Sequence, residues 1–136
     1  MIDLVHNIYT SVLKSLKSHR ELNKIVTNIF DITPNNVSLP YLNIHISNFK
    51  TLSTFDNNIF KAQILCNVYS NHINVLYKIS NLVSHILLNH QINLPTFEYK
   101  IIPEYSSTIT EHKESIHALL IFTILARKIH VNTITN

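Results

Sequence analysis

The 136-residue chain contains no glycine. That absence constrains it more than any motif it does carry. A P-loop, a GxGxxG dinucleotide turn and a GxSxG nucleophile elbow all need glycine where the backbone takes positive φ or approaches a ligand closely. None of the three can be built here. The commonest nucleotide-binding and hydrolase signatures therefore go in one step, and tight turns fall to asparagine and proline.

The remaining composition describes one ordinary domain. Hydrophobic residues make up 46% and charged residues 14%, the reverse of a disordered chain. A chain of this length buries roughly two thirds of its unfolded surface and needs no staples. The single cysteine, Cys66, excludes an internal disulfide framework and a cysteine-rich zinc site. The opening MIDLVHNIYTSVLK has no basic stretch ahead of an apolar run, unlike a signal peptide. No run of about 18 apolar residues is present to span a bilayer, so no membrane association is expected. The net charge of +3 is spread along the chain and falls short of a nucleic-acid footprint. We expect a single domain over residues 1–130 and a loose tail over 131–136.

Periodicity sets the elements. Leu4, Val5, Ile8, Tyr9, Val12, Leu13 and Leu16 form one helical stripe over Ile2 to Lys17. Ser18 and Glu21 have the spacing of a capping box, which starts a short helix carrying Leu22, Ile25 and Val26. Ile29-Phe30-Asp31 reads as a brief extended piece, and Pro34-Asn35-Asn36 as a turn. Strict alternation from Tyr41 to Phe49 predicts a half-buried strand, and Ile59 to Tyr69 a second. Lys50 to Asn58 is expected to be a loop, with Asn57 and Asn58 as left-handed residues. His72 to Asn89, capped by Asn71, is the clearest helix. A third strand runs from Thr96 to Ile102, stopped by Pro103. Ser106 to Glu114 is polar and reads as loop. Ser115 to Ile129 is the last strand, β-branched and aromatic enough to outweigh a helical reading. The sum is an α+β domain: a mostly antiparallel sheet of about four strands with helices on one face.

The chemistry-bearing residues converge poorly. Nine histidines invite a metal reading, but His85 and His90, like His112 and His117, are five apart. Five residues on a helix turn about 500°, so the two rings do not share a face. His6, His19, His72 and His90 read as solvated. Cys66 falls on the inward row of the second strand, where cysteine behaves as a small hydrophobe. Glu111 and Glu114 flank Lys113 as a solvated charge run. Lys14, Lys17, Arg20 and Lys24 read as the wet side of the first helices. No catalytic residue, metal ligand or cofactor is assigned, and an enzymatic reading is the weakest of those open.

The last strand is apolar on both faces. Ile116, Ala118, Leu120, Phe122 and Ile124 form one row; Leu119, Ile121 and Leu125 belong to the other. Two long helices and a short one cover both faces of a sheet with difficulty, and an exposed apolar row normally marks a partner. Leu119, Ile121 and Leu125, with Leu52 and Phe55 from the connection between the first two strands, are the candidate subunit contacts.

Several local patterns occur together: Ile8-Tyr9 through Leu16, the helix from Leu22 to Val26, Ile29-Phe30-Asp31, and Pro40-Tyr41-Leu42. Val68-Tyr69-Ser70 closes the second strand, Leu94 precedes the third, and the last follows a polar loop. From about Ile8 to Arg127 this layout resembles the tail-completion family of tailed bacteriophages and gene transfer agents, which includes tail-terminator and head–tail joining proteins. The family commonly has glycine near its turns and an aromatic, often tryptophan, ending the second strand; here Tyr69 takes that place. The resemblance implies a non-enzymatic structural protein of a phage or phage-like tail, assembled in the cytoplasm of a bacterial host. It implies a ring of copies, often six, that caps the tail tube or joins it to the head. Its partners would be further copies of itself, the tail tube protein and head–tail connector proteins, with DNA passing through the ring without specific binding. The alternative from the residues alone is a small adaptor or immunity-like module that binds a host protein or peptide along a sheet edge or groove.

Overall fold

The computed structural model describes residues 2–34, 36–53, 58–89, 94, 96–104, 109–111 and 115–129. Phe55, Asn57, His90, His112, Lys113, Glu114 and the tail 131–136 lie outside them. The elements in chain order are α1 (Ile2–Ser18), α2 (Arg20–Ile25), β1 (Ile29–Phe30), β2 (Tyr41–Ser53), β3 (Asn58–Ser70), α3 (Ile73–Asn89), β4 (Phe97–Glu104), β5 (Ile109–Glu111) and β6 (Ile116–Lys128). They make an α+β fold with a six-stranded sheet ordered β1-β2-β3-β6-β4, in which β5 also pairs with β6. Only β1 and β2 pair in parallel; the other ladders are antiparallel.

The stripe of α1 is real: Leu4, Ile8, Val12 and Leu16 are buried. How the helix ends differs from expectation. Ser18 closes α1 and its hydroxyl donates back to the Ser15 carbonyl, so it does not cap the next helix. His19 is the N-cap of α2, with extended backbone and Nδ1 accepting from the Leu22 N–H at 3.3 Å. Asn23 then reaches back, its amide nitrogen 2.8 Å from the Leu16 carbonyl and 2.7 Å from that of His19. A helix usually ends on a left-handed glycine that satisfies its last carbonyls. In a glycine-free chain a side-chain amide performs that task.

Among the described residues the left-handed ones are also asparagines, Asn36 (φ 61°) and Asn48 (φ 51°); of the two expected, Asn58 begins β3 and Asn57 lies outside the described residues. The Leu39–Pro40 peptide is cis. Asn48 sits in a bulge between Ser47 and Lys50, and an inserted residue shifts the side-chain parity of a strand. Before it, Leu42 and Ile44 face the helices; after it, Lys50 and Leu52 lie on the other face, opposite Lys61 and Ile59. The strand therefore continues to Ser53 where the alternation in the sequence lapses.

Three further corrections concern the C-terminal half. Pro103 lies within β4, opposite Phe122; β4 has only β6 as neighbour over this stretch, and an edge strand can carry a proline. The polar segment holds the short strand β5, paired through Ile109↔Ala118 to Glu111↔Ile116. At the start of α3 the His72 carbonyl accepts from the Leu76 N–H at 3.0 Å, which puts His72 and not Asn71 at the cap position, and the Ser70 hydroxyl accepts from the His72 N–H at 3.2 Å. The sheet thus gains β1 and β5 over the four strands expected.

The core forms between one face of the sheet and the helices. Leu42, Ile44, Ile64, Cys66, Phe122 and Ile124 pack with Ile8, Leu16, Leu76, Ile79 and Ile86, all 2% exposed or less. Helix α1 lies against β1 and β2; α3 lies against β3, β4 and β6.

Candidate interaction surface

The opposite face of the sheet carries no helix among the described residues. Its composition follows from register, because residues paired across antiparallel strands share a face. Strands β2, β3, β6 and β4 present successive rows there, each running across the sheet with about 4.8 Å between strands.

The first row is aromatic. Tyr41, Tyr69 and His117 stack in series, with ring centroids 4.7 Å apart at 18° and 4.4 Å apart at 5°. Phe30 meets Tyr41 edge-on at 6.0 Å. Burial, with a smaller contribution from neighbouring Tyr69, raises the Tyr41 phenol above its ordinary value; burial alone raises Tyr69. The second row is an amide chain. Asn67 donates to Asn43 Oδ1 at 2.7 Å, Asn43 donates to Thr33 Oγ1 at 3.0 Å, and His117 Nε2 lies 2.7 Å from Asn67 Oδ1. Leu119 stands opposite Asn67.

Next come His45, Leu65, Ile121 and Glu104, then Ser47, Gln63, Thr123 and Ile102. The Thr123 hydroxyl donates to Glu104. The fifth row is basic: Lys50, Lys61 and Lys100 with Leu125 between the last two. Like charges directly opposite, as at Lys50↔Lys61, disfavour each other. The last row is Leu52, Ile59, Arg127 and Glu98, in which Arg127 and Glu98 pair at 2.5 Å.

The proposed contact residues of β6 therefore fall together. Leu119, Ile121 and Leu125 are partly buried along the middle of this face, flanked by Leu65 and Ile102. Leu52 joins them at the far end, 40% exposed. Phe55 is outside the described residues. Sequence reading missed the aromatic, amide and basic rows. Their signal was the register: Tyr41 opens β2 and Tyr69 all but closes β3, so an antiparallel hairpin brings the rings together.

Cys66 is fully buried and burial pushes its thiol up to about 12, which leaves no thiolate for nucleophilic attack. Among the described residues no three His, Cys, Asp or Glu side chains are grouped to hold a metal. Nor is any described helix long and apolar enough to cross a membrane.

A second concavity lies at the β2 edge, between α1 and β2, with a volume of about 420 Å³. Tyr9 lines it; burial first and the Asp31 carboxylate second raise its phenol. Ile32 borders the same concavity and is 83% exposed, the highest value of any large apolar side chain described.

No protein-family model matches the chain, and no curated protein matches it. Solved structures do match in fold. A chain from the virion of a native gene transfer agent particle superposes with a TM-score of 0.72 at 10% identity, over 85% of this chain and 91% of that one. The bacteriophage SPP1 gp17 protein gives a TM-score of 0.66 at 15% identity, over 96% of this chain and 94% of its own. At these identities the likeness is one of fold, and it spans nearly the whole domain in both cases.

Proposed function

We propose that the chain is a non-enzymatic structural subunit of a phage or phage-like particle, working as a ring of identical copies that completes the tail. Fold likeness to a gene transfer agent virion chain and to a bacteriophage protein supports the particle setting. The observation that carries the ring is the helix-free sheet face, with Leu119, Ile121 and Leu125 along its middle and Leu52 at its end. An apolar strip bordered by polar rows is the anatomy of a subunit contact. In a ring, the tail tube protein and head–tail connector proteins would meet the two ends, and DNA would pass through the lumen without sequence-specific contacts. Assembly would take place in the cytoplasm of the bacterial host and the product would reside in the tail.

Sedimentation velocity over a wide concentration range, with negative-stain imaging of the largest species, tests this reading. The expected result is one discrete closed oligomer that grows at the expense of monomer. A chain that remains monomeric up to its solubility limit overturns it.

A further inference from the structure

A ring requires two different patches on each subunit, one docking onto the other in the next copy, with a rotation that closes. We infer that these patches are the Asp31–Ile32 projection at the β1 edge and the basic apolar concavity beside β4. The inference rests on the ring reading above and adds which surfaces meet.

The projection is unusual for a folded chain. Ile32 is 83% exposed and follows directly on Asp31, which is itself exposed. Asp31 Oδ1 accepts from the Ile32 N–H at 2.6 Å, which fixes the carboxylate beside the isoleucine. Both lie just past β1, at one lateral edge of the sheet. Phe49, 46% exposed, borders the same ledge.

The receiving site lies across β3, β6 and β4, away from the β1 edge and farther along the strands than the β1–β2 pairing. It is a shallow concavity of about 280 Å³ with Ile59 and Leu125 as its apolar floor. Lys100 lines it, and Lys61 stands opposite Leu125 in the same row. Glu98 also lines it, but is engaged by Arg127. Neither Lys61 nor Lys100 has a carboxylate within ion-pair distance among the described residues. An apolar floor with unmatched cations fits a side chain of isoleucine size next to a carboxylate. Ile32 fills the floor and Asp31 faces Lys100 and Lys61. Electrostatic complementarity of this kind fixes register and rejects wrong partners. Because the two patches are separate, one at the β1 edge and one over β3, β6 and β4, each contact leaves the next projection free and the chain of subunits can continue until it closes.

The test is a charge-exchange series read by sedimentation, with thermal melting of each variant as the fold control. Asp31→Lys, Lys100→Glu and Ile32→Ser are all at exposed positions, where melting changes little. Each alone is expected to weaken association by about tenfold or more. Mixing Asp31→Lys with Lys100→Glu restores assembly, as does the double variant, because both present opposite charges again. Wild-type chain that forms its oligomer while none of the variants changes it overturns this interface and leaves the ring standing. Weakening by the single variants without rescue by the mixture or the double variant overturns the pairing of Asp31 with Lys100. Wild-type chain that never assembles overturns the ring reading itself.

Discussion

Ile121 and Ile124 are the same side chain three residues apart on β6, on opposite faces of the sheet. Truncating each to alanine separates the core from the open face. Ile124 is 0% exposed and packs under the helices. Its truncation removes three carbons, about 2.4 kcal/mol in transfer free energy. The cavity left behind brings the total to about 3–5 kcal/mol. Ile121 is only partly buried and does not pack against the core cluster. It loses about half the transfer free energy, about 1 kcal/mol, and the gap opens to solvent with no cavity to maintain. Loss of β-branching affects both positions alike and cancels in the comparison. The two variants should therefore differ by about 2 kcal/mol or more, roughly 30-fold in the folding constant. Urea unfolding of dilute monomer, with the midpoint read at unchanged slope, measures this. Equal losses at the two positions would refute the reasoning, because Ile121 would then be sheltered by its own chain.

Three other outcomes follow from local structure. Cys66 and the phenols of Tyr41, Tyr69 and Tyr9 have folded-state values raised above their ordinary ones. The folded state therefore holds these protons more tightly; the contribution of Cys66 is complete below about pH 9 and lost as pH rises toward about 12, and that of the phenols is likewise lost as they ionise at alkaline pH. Cys66→Ala should flatten part of that alkaline decline in a urea-melt series against pH; an unchanged slope would contradict burial as its cause. Asn67→Leu removes the oxygen that accepts from His117 and leaves Asn43 Oδ1 without its donor, and should lower stability by about 1–3 kcal/mol by chemical denaturation. Asn48→Val places a β-branched residue at φ 51° and should cost about 1–2 kcal/mol, whereas Asn48→Gly, which loses only the hydrogen bond to Gln63, should cost less.

Much of the fold was legible because burial imposes a period. The stripe of α1, the stripe of α3 and the alternation of β2 and β3 each matched the expected face, and Cys66 fell on the core row as its parity required. What escaped was set by features without a period. The bulge at Asn48 reverses the parity of β2, so Lys50 and Leu52 looked like loop when they were strand. Strand β5 is three residues long and exists only because β6 offers an unpaired edge beyond the end of β4. Pro103 seemed a terminator because its missing N–H matters inside a sheet and not at an edge. His19 displaced the Ser18–Glu21 box because α1 runs one residue farther than its apolar stripe, which turns Ser18 into a helix residue. The make-up of the helix-free face was half legible. Leu119, Ile121 and Leu125 stood out as surplus apolar residues, while the rows around them required the pairing register that no single strand carries.

The claim at the centre is that neighbouring copies close the helix-free face. Cys66 is the only native cysteine and is fully buried, so Leu125→Cys would place one reactive thiol on that face, in the floor of the receiving concavity. Labelling with a thiol reagent should be fast in dilute protein and strongly slowed at concentrations where the oligomer forms, with Cys66 unreactive throughout. A labelling rate at residue 125 that is the same in monomer and oligomer would contradict the account.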